Sequence, residues 1–309
     1  MSTRIPPSER RVASEPPARH VDPCVAARDP KWVPHGYRVL VQASGRVAIA
    51  DWAAEELASA GFTLDVDGDL RTSDVAGRKA LAETPDGRVL VRQFTHGGLL
   101  RFLTGRRFRD PNRPFVELAL SIWLTERGID TPPVAAARAR KAPGYGHHLA
   151  LATRRIEGAR DFESMLVDVR GGRAQRASLR PALRAFGAMV ARLHANGFVH
   201  ADLTPKNVLV ELRAEAGPRL WLIDLDRSRI ESPLTAAVRR ANLGRLWRFV
   251  DRREQRDGRA LTRADVARFL RAYEPSRFER HALWRTVAAE RSRADVWHRI
   301  GWALERSGR

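Results

Sequence analysis

Cysteine and long apolar runs are nearly absent from this chain. Cys24 is the only cysteine among 309 residues, which excludes an internal disulfide and fits a reducing compartment. No stretch approaches the roughly 18 consecutive apolar residues of a membrane-spanning helix. The first residues are polar and rich in proline, unlike a secretory signal peptide. We therefore expect a globular protein whose core fills one large or two smaller domains.

Lysine is also scarce, because only four of the 55 basic residues are lysines. The excess of arginine gives the chain a formal net charge of +19 at pH 7. This charge has two interpretations. It is either a compositional bias toward arginine or a surface for an acidic partner, such as an anionic membrane, a phosphorylated glycan or a nucleic acid.

One stretch carries most of the chemical information, and it reads F-V-H-A-D-L-T-P-K-N-V-L-V over residues 198–210. Two β-type runs flank a polar loop that holds His200, Asp202, Lys206 and Asn207. Asp202 can orient and deprotonate a hydroxyl, and Asn207 can hold a metal ion that carries phosphate. The spacing H-x-D-L-x-x-x-N is that of the protein-kinase catalytic loop. The sequence of this loop therefore predicts an enzyme that transfers a phosphoryl group.

A second carboxylate, Asp224, follows the apolar run 220–223 at a hairpin's distance from the loop. Kinases place their other metal-binding Asp at this point. About ten residues then pass before a predicted helix near Thr235, and no A-P-E motif follows. Protein kinases use a longer segment there to seat a peptide. The short segment favours a small-molecule or glycolipid acceptor.

Upstream, the pattern from residue 75 onward is typical of a kinase small lobe. A turn at 85–87 leads into a strand that ends at Arg92, and only Gly77 remains of the usual G-x-G-x-x-G. Alternation along the strand predicts that Leu90 and Arg92 face the cleft together. Arg92 stands where kinases place a lysine and can bind phosphate bidentately, with Lys79 as the next candidate.

A helix is predicted from Asn112, with proline in its first turn, to Gly128. Glu117 lies near its start. It is either the ion-pair partner of Arg92 or a residue that interacts with the helix dipole. Further on, Glu157 falls where the hinge between two lobes is expected, at the edge of a nucleotide site.

Apolar residues at alternating steps of four and three predict a buried helix that leads directly into the catalytic loop. These residues are Leu179, Leu183, Phe186, Val190 and Leu193. We therefore predict an α+β, two-lobed, protein-kinase-like fold. Its parts are a flexible arm over 1–35, a small nucleotide-covering lobe over 36–156, and a large catalytic lobe over 157–309 with basic C-terminal helices.

With these landmarks in place, the chain resembles the lipopolysaccharide kinase family, and within it the kinases of 3-deoxy-D-manno-octulosonic acid (Kdo). The similarity spans about residues 75–250, and several of its motifs lie outside the small set of catalytic residues that kinases in general share. They are G-G-L-L at 97–100, T-P-P-V-A-A at 131–136, T-R-R-I-E-G-A-R at 153–160, H-A-D-L-T-P-K-N at 200–207, L-I-D-L-D-R at 222–227 and A-N-L-G-R-L at 241–246.

The resemblance implies ATP and a divalent metal, here Mg²⁺, as cofactors. It implies a lipid A-linked inner-core glycan as acceptor, phosphorylated on the Kdo 4-hydroxyl, and a peripheral location on the cytoplasmic face of the inner membrane. No nucleic acid is expected as a partner. The alternatives are a heptose kinase of the same family and a basic pseudokinase that binds nucleic acid or acts as a scaffold.

The site residues take their roles from the kinase pattern. Asp202 is the base for the acceptor hydroxyl, and Asn207 and Asp224 hold Mg²⁺ on the phosphates. Arg92, aligned by Glu117, binds the α- and β-phosphates.

We expect Lys206 to contact the negative charge of the transferred phosphoryl group, because tyrosine kinases have an arginine at this position. Ser/Thr kinases use a lysine two residues earlier instead, where this chain has Thr204. We expect His200 to brace the loop. The tryptophans of the basic C-terminal part are expected either in the core or at a membrane interface. They are Trp247, Trp284, Trp297 and Trp302.

Overall fold

The computed structural model describes residues 22–73, 81–96, 106–213 and 217–285. A seven-stranded antiparallel sheet in the order β1-β2-β6-β7-β5-β4-β3 forms the small lobe. Its strands are β1 (Tyr37–Gln42), β2 (Gly45–Ala50), β3 (Arg71–Thr72), β4 (Leu81–Glu83), β5 (Val89–Gln93), β6 (Val134–Lys141) and β7 (His147–Arg154). Its helices are α1 (Pro23–Ala26), α2 (Ala54–Ser59) and α3 (Arg113–Glu126), with a 3₁₀ turn at Asp51–Ala53.

Tight turns set the register of this sheet. Gly45 pairs with Gln42 where β1 turns into β2. Gly87 adopts a left-handed conformation, with φ at 71°, in the turn between β4 and β5. The Thr84 amide closes that turn by donating to the Val89 carbonyl at 3.0 Å. Because β5 pairs with β7 as well as with β4, the strand that carries Arg92 lies inside the sheet rather than at its edge.

The predicted flexible arm over 1–35 is wrong for its second part, since residues 22–35 pack on the small lobe. Ala27 is fully buried with residues of α3. The buried Arg46 donates to the Ala27 carbonyl at 3.1 Å and to the Trp32 carbonyl at 2.9 Å. An arginine of the sheet thus satisfies the carbonyls of a segment whose composition alone suggests an unstructured arm. Residues 1–21 lie outside the described residues.

The large lobe is mainly helical. Its helices are α4 (Phe162–Arg170), α5 (Arg176–Ala195), α6 (Ala236–Asp257) and α7 (Arg263–Tyr273), followed by a helical segment at 277–285. Its short strands are β8 (Arg160–Asp161), β9 (Phe198–Val199), β10 (Val208–Arg213), β11 (Gly217–Leu222) and β12 (Arg229–Ile230). They form the sheets β11-β10-β8 and β12-β9. Among the described residues, no helix has the length and apolarity needed to cross a bilayer.

The predicted apolar face of α5 is confirmed. The five apolar residues that define this face are each at most 3% exposed and belong to the core of the large lobe. The end of α3 contributes Leu120 and Leu124 to that same core. Arg219 of β11 adds a two-pronged ion pair with Asp130, at 2.8 and 2.6 Å. The helix that carries Glu117 is therefore fixed to both lobes.

Helices α5 and α7 approach each other closely at Gly187. A Cβ atom built on Gly187 would overlap the carbonyl oxygen of Phe269 and lie 3.1 Å from Ala272 Cβ. Glycine is therefore needed here for space rather than for an unusual backbone conformation.

Replacing Gly187 with alanine should destabilise the protein, although alanine is the better helix former by about 1 kcal/mol. Overpacking a close helix contact costs about 1–3 kcal/mol, so we expect a net loss of stability. Urea denaturation would measure it. Ala188→Gly, at the exposed neighbouring position, is the matched control and should show only the ordinary loss of helix propensity. A stabilised Gly187→Ala protein would contradict the close approach.

Candidate active site

The β10–β11 hairpin brings two distant parts of the sequence together. Val208 pairs with Leu222, so Asn207 and Asp224 emerge from the same end of the hairpin. The Ile223 amide donates to the Asn207 carbonyl at 3.0 Å and closes this end. Strand pairing therefore places the two predicted metal ligands side by side.

Asp202 is fixed by donors from two directions. Asn207 Nδ2 donates to the Asp202 backbone carbonyl at 2.8 Å and to Asp202 Oδ2 at 3.1 Å. Arg245 Nη1 of α6 donates to Asp202 Oδ1 at 3.0 Å. The Asp202 side chain is nevertheless 53% exposed. It is oriented yet accessible to a solute, as a general base must be.

A shared guanidinium closes the base of the cleft between the lobes. Arg92 Nη2 binds Glu117 Oε2 at 2.6 Å, and Arg92 Nη1 binds Asp224 Oδ1 at 2.7 Å. The other oxygen of Glu117 accepts the Leu225 amide at 3.1 Å. Asp224 has a left-handed backbone, with φ at 62°, which Asp tolerates better than most residues. The predicted pairing of Arg92 with Glu117 is present, and Arg92 faces the cleft as predicted.

Burial and charge act against each other in this cluster. Burial raises the pKa of Glu117 to about 7, although the Arg92 guanidinium works to lower it. Burial alone would lower the pKa of Arg92, but the carboxylates of Glu117, Asp224 and Asp226 outweigh it and raise that pKa. Arg92 therefore stays cationic, and its single charge is shared by the two carboxylates that it touches.

Next to Arg92 lies a slot whose lining is mostly apolar, with Glu117 and Asp224 at its polar end. An apolar slot with charged groups at one end suits a flat base attached to phosphates. Its apolar walls come from both lobes and include Leu81, Leu90, Val134, Leu151, Leu209 and Leu222.

Glu157, another predicted nucleotide contact, does not line this slot. Glu157 is exposed and lines a separate groove of the small lobe, together with Trp52 and Arg88. The predicted contact of its side chain with nucleotide is therefore not supported. Gly77, Lys79 and the G-G-L-L motif at 97–100 lie outside the described residues.

Lys206 is directed toward α4 and α6. Its Nζ lies 3.6 Å from Glu163 Oε2 and 5.7 Å from the ring centre of Phe249. Within the 3₁₀ turn Pro205–Asn207, Asn207 is buried, whereas the side chain of Lys206 is half exposed. The role of Lys206 on the transferred phosphate stays a prediction.

The structure shows the bracing contacts predicted for His200. This side chain is fully buried, its Nδ1 accepts the Asp202 amide at 3.1 Å, and its Nε2 donates to the Ile223 carbonyl at 3.1 Å. One ring thus joins the loops that carry Asp202 and Asp224. Burial lowers the pKa of His200, which keeps Nδ1 available as an acceptor.

A second histidine, His194, supports the catalytic loop through Asn242, and the sequence alone did not indicate this role. Asn242 Nδ2 donates to the His200 carbonyl at 2.7 Å, so Asn242 Oδ1 accepts from His194 Nε2 at 3.1 Å. His194 Nδ1 then accepts from the Tyr273 hydroxyl at 2.8 Å. The sequence signal for this network is Asn242 in the A-N-L-G-R-L motif. Arg245 stands in the same motif, and its contact with Asp202 was not predicted either.

This architecture defines the class of protein: a kinase-like phosphotransferase, with a small β-rich lobe, a strand-to-helix ion pair and an Asp–Asn–Asp set in the cleft. The model of the lipopolysaccharide kinase (Kdo/WaaP) family matches residues 86–273. The chain belongs to this family. It is a transferase of lipopolysaccharide biosynthesis that phosphorylates an alcohol group.

Several curated relatives carry the name 3-deoxy-D-manno-octulosonic acid kinase. The relative from Xanthomonas euvesicatoria pv. vesicatoria (strain 85-10) is 33% identical over 211 residues, which cover 66% of this chain and 79% of the relative. The relative from Xanthomonas oryzae pv. oryzae (strain PXO99A) is 34% identical over 212 residues, with 66% and 79% covered. The relative from Xylella fastidiosa (strain 9a5c) is 32% identical over 204 residues, with 64% and 76% covered.

Among solved structures, the chain is similar to one described as WaaP in complex with acyl carrier protein. The TM-score is 0.51 at 20% identity, and the match covers 83% of this chain and 98% of the other. This likeness confirms the predicted kinase-like α+β fold.

Protonation of His194 should make the protein sensitive to acid. Burial lowers the pKa of His194 to about 4, although the hydrogen bond that His194 donates to Asn242 works to raise that pKa. In the unfolded chain the pKa is about 6.5, so the folded state binds fewer protons between these values. The contribution to stability should be complete above about pH 6.5 and fall by roughly 3 kcal/mol as the pH drops to about 4.

Urea midpoints between about pH 4 and pH 7 would measure this loss of stability. The acid-dependent part should shrink in His194→Gln and persist in His281→Gln, which alters an exposed histidine. Equal pH slopes in the wild type and His194→Gln would show that another group is responsible.

Arg92 should be replaceable only in part. Arg92→Lys keeps the charge but lacks the fork that binds two carboxylates through separate nitrogens, so it should retain a fraction of the activity. Arg92→Ala should be nearly inactive, and leaving Glu117 buried without a cation should cost about 3–5 kcal/mol of stability. Phosphorylation rates at varied ATP and thermal melting would measure both effects. Arg88→Ala, on the same hairpin, is the control, and wild-type rates in both Arg92 variants would rule out the phosphate role.

Proposed function

We propose that this protein is an ATP-dependent kinase of the Kdo residue, acting on its 4-hydroxyl in the lipopolysaccharide inner core of a lipid A precursor. The observation that carries the proposal is Asp202, half exposed at the cleft and held by Asn207 and Arg245. The name shared by the curated relatives supports Kdo as the acceptor. An intact set of Asp202, Asn207 and Asp224 weighs against a pseudokinase.

Membership of a kinase family implies the use of ATP, and the cleft suits this nucleotide. The apolar slot suits an adenine ring, and the cation Arg92 at the polar end of the slot suits the phosphates. When phosphate oxygens reach Arg92, its fork can exchange Asp224 for the ligand while Glu117 holds the other nitrogen. Glu117 thus keeps Arg92 aimed at the nucleotide.

Mg²⁺ fits the donor set at the end of the hairpin. No cluster of three His, Cys, Asp or Glu side chains that could hold a metal occurs within the described ranges. Mg²⁺ does not need one, because it keeps several waters and uses one or two carboxylates beside substrate phosphates. Asp224 and Asn207 supply a carboxylate and an amide oxygen. When bound there, Mg²⁺ would neutralise charge on the β- and γ-phosphates.

The reaction then needs little covalent chemistry from the protein. The acceptor oxygen forms a bond to the γ-phosphorus while the bond to the leaving ADP oxygen breaks, and Asp202 takes the acceptor's proton. Asn207 and Arg245 hold the Asp202 carboxylate toward that oxygen. His200 fixes the loop by accepting the Asp202 amide.

We further propose that the protein works at the cytoplasmic face of the inner membrane as a peripheral protein. Its acceptor would be a lipid, and the net charge of +19 suits an anionic surface. A basic groove between α7 and the segment 277–285 offers a place for acidic headgroups. Its lining includes Arg263, Arg277, Arg280 and Trp284.

The two C-terminal tryptophans that the structure describes lie in or against the core of the large lobe. Trp247 is buried in the core of the large lobe, and Trp284 packs partly against that core. Trp297 and Trp302 lie outside the described residues. The proposal for the membrane therefore depends on the basic charge rather than on tryptophan insertion.

Asp202→Asn should lower the rate of sugar phosphorylation by at least the roughly 10²- to 10⁴-fold that a positioned base contributes. The change keeps the shape of the side chain, so the melting temperature should stay close to that of the wild type. Purified protein would be incubated with ATP, Mg²⁺ and either Kdo-lipid A or a heptosylated acceptor, and the product identified by mass and phosphorus NMR.

Asp65→Asn, an exposed change in the small lobe, is the control for this assay. Phosphate on heptose alone would replace the Kdo assignment with that of a heptose kinase. Wild-type turnover by Asp202→Asn would remove Asp202 from the role of base.

Membrane attachment should depend on salt. Each basic side chain near an anionic leaflet contributes about 1 kcal/mol, and the attraction decays within about 8 Å at physiological salt. The full chain should therefore sediment with anionic vesicles at low salt, be partly released at high salt, and stay in solution with neutral vesicles. If the protein did not sediment with anionic vesicles at low salt, the membrane proposal would be wrong.

A further inference from the structure

Arg245 occupies a place beside the catalytic base that the kinase pattern does not assign. It projects from α6, and its Nη1 donates to Asp202 Oδ1 at 3.0 Å. Its side chain is 50% exposed, so a solute can approach it. A guanidinium offers five donors in a rigid fork, and the contact to Asp202 uses a single arm.

The surface that continues from Arg245 is rich in cations. One and two turns further along α6 lie Phe249 and Arg253, and Lys206 approaches the Phe249 ring from the loop at 5.7 Å. Lys206 and Arg253 are both paired with Glu163 of α4. Asp257 also pairs with Arg253 and with Arg256, so the cations Arg245, Lys206, Arg253 and Arg256 outnumber the carboxylates of Asp202, Glu163 and Asp257 on this side of the base. Such a surface favours an anionic acceptor over a neutral one.

The acceptor proposed above is an acid as well as an alcohol. In its ring form, Kdo carries the carboxylate on carbon 2 and the target hydroxyl on carbon 4, with one methylene between them. The two groups can therefore reach two neighbouring protein groups at once. Asp202 and Arg245 are such neighbours, one an acceptor for the hydroxyl proton and the other a donor for a carboxylate.

We propose that Arg245 binds the carboxylate of the acceptor sugar and thereby selects an acidic sugar and aims its 4-hydroxyl at Asp202. This inference rests on the proposed function, because it takes the acceptor to be Kdo. Arg245 keeps one arm on Asp202 and receives the sugar carboxylate on the others. A neutral heptose offers no anion at this position, so the same residue discriminates against it.

The experiment compares two acceptors with the wild-type protein and three variants. One acceptor is Kdo-lipid A, and the other is the same molecule with its Kdo carboxylate converted to a carboxamide. Both retain the lipid A phosphates, so binding of Arg245 to a phosphate would not distinguish them. The variants are Arg245→Gln, Arg245→Lys and, as a control, Arg184→Gln, which alters an exposed arginine of α5.

The wild type should prefer the acid, by kcat/KM, by roughly the 10- to 100-fold expected for charge-assisted hydrogen bonds. Arg245→Gln should lose this preference, with a raised KM for the acid acceptor and an unchanged KM for ATP. Arg245→Lys should recover part of it, and Arg184→Gln should keep all of it. A residue that merely positioned Asp202 would lower kcat equally for both acceptors, and that result would contradict carboxylate binding.

The outcomes separate the two proposals. A wild type that phosphorylates acid and carboxamide equally well overturns the role of Arg245 and leaves the Kdo kinase assignment intact, and this arm needs no variant to fold. Retention of the full preference in Arg245→Gln also overturns it. A wild type that phosphorylates neither Kdo acceptor overturns the proposed function and this inference together.

Discussion

The arrangement of this protein depends on one guanidinium shared between two carboxylates. Arg92 comes from the small-lobe sheet, Glu117 from the helix behind it, and Asp224 from the hairpin of the large lobe. Because the second oxygen of Glu117 accepts the amide of Leu225, the helix is also tied to the backbone just after Asp224. A shift of α3 or of the small-lobe sheet would separate Arg92 from Glu117, whose buried charge would then be left unpaired at a high cost in free energy. The cleft geometry is therefore maintained by electrostatics as well as by packing.

Much of the site can be predicted because its members are tied to local patterns. Asp202 and Asn207 share one loop, and strand pairing places Asp224 beside them. The partnership of Arg92 with Glu117 follows from strand alternation and from a helix start, and both features are short-range. The kinase-like fold is equally accessible, since the buried face of α5 leads straight into the catalytic loop.

The features that escape prediction depend on contacts between distant segments. The contacts of Lys206 with Glu163 and Phe249 join the loop to two helices, and the sequence does not show them, although the role of Lys206 on the phosphates stays a prediction. Glu157 is expected at the nucleotide from its position near the hinge, yet a side chain on such a turn can face either way, and it faces a separate groove. Arg245 reaches Asp202 from a separate helix, so only the folded chain reveals their contact.

The buried guanidinium of Arg46 has a practical consequence for how much of the chain the small lobe needs. Its nitrogens hold the carbonyls of Ala27 and Trp32, and its flat face lies 4.1 Å from the ring centre of Phe115 on α3. A recombinant fragment that started at the first strand would leave this arginine without its carbonyl acceptors, beside the helix that presents Glu117. The small lobe therefore includes residues 22–35, and a protein shortened at the strand boundaries would lack part of the support for its own cleft.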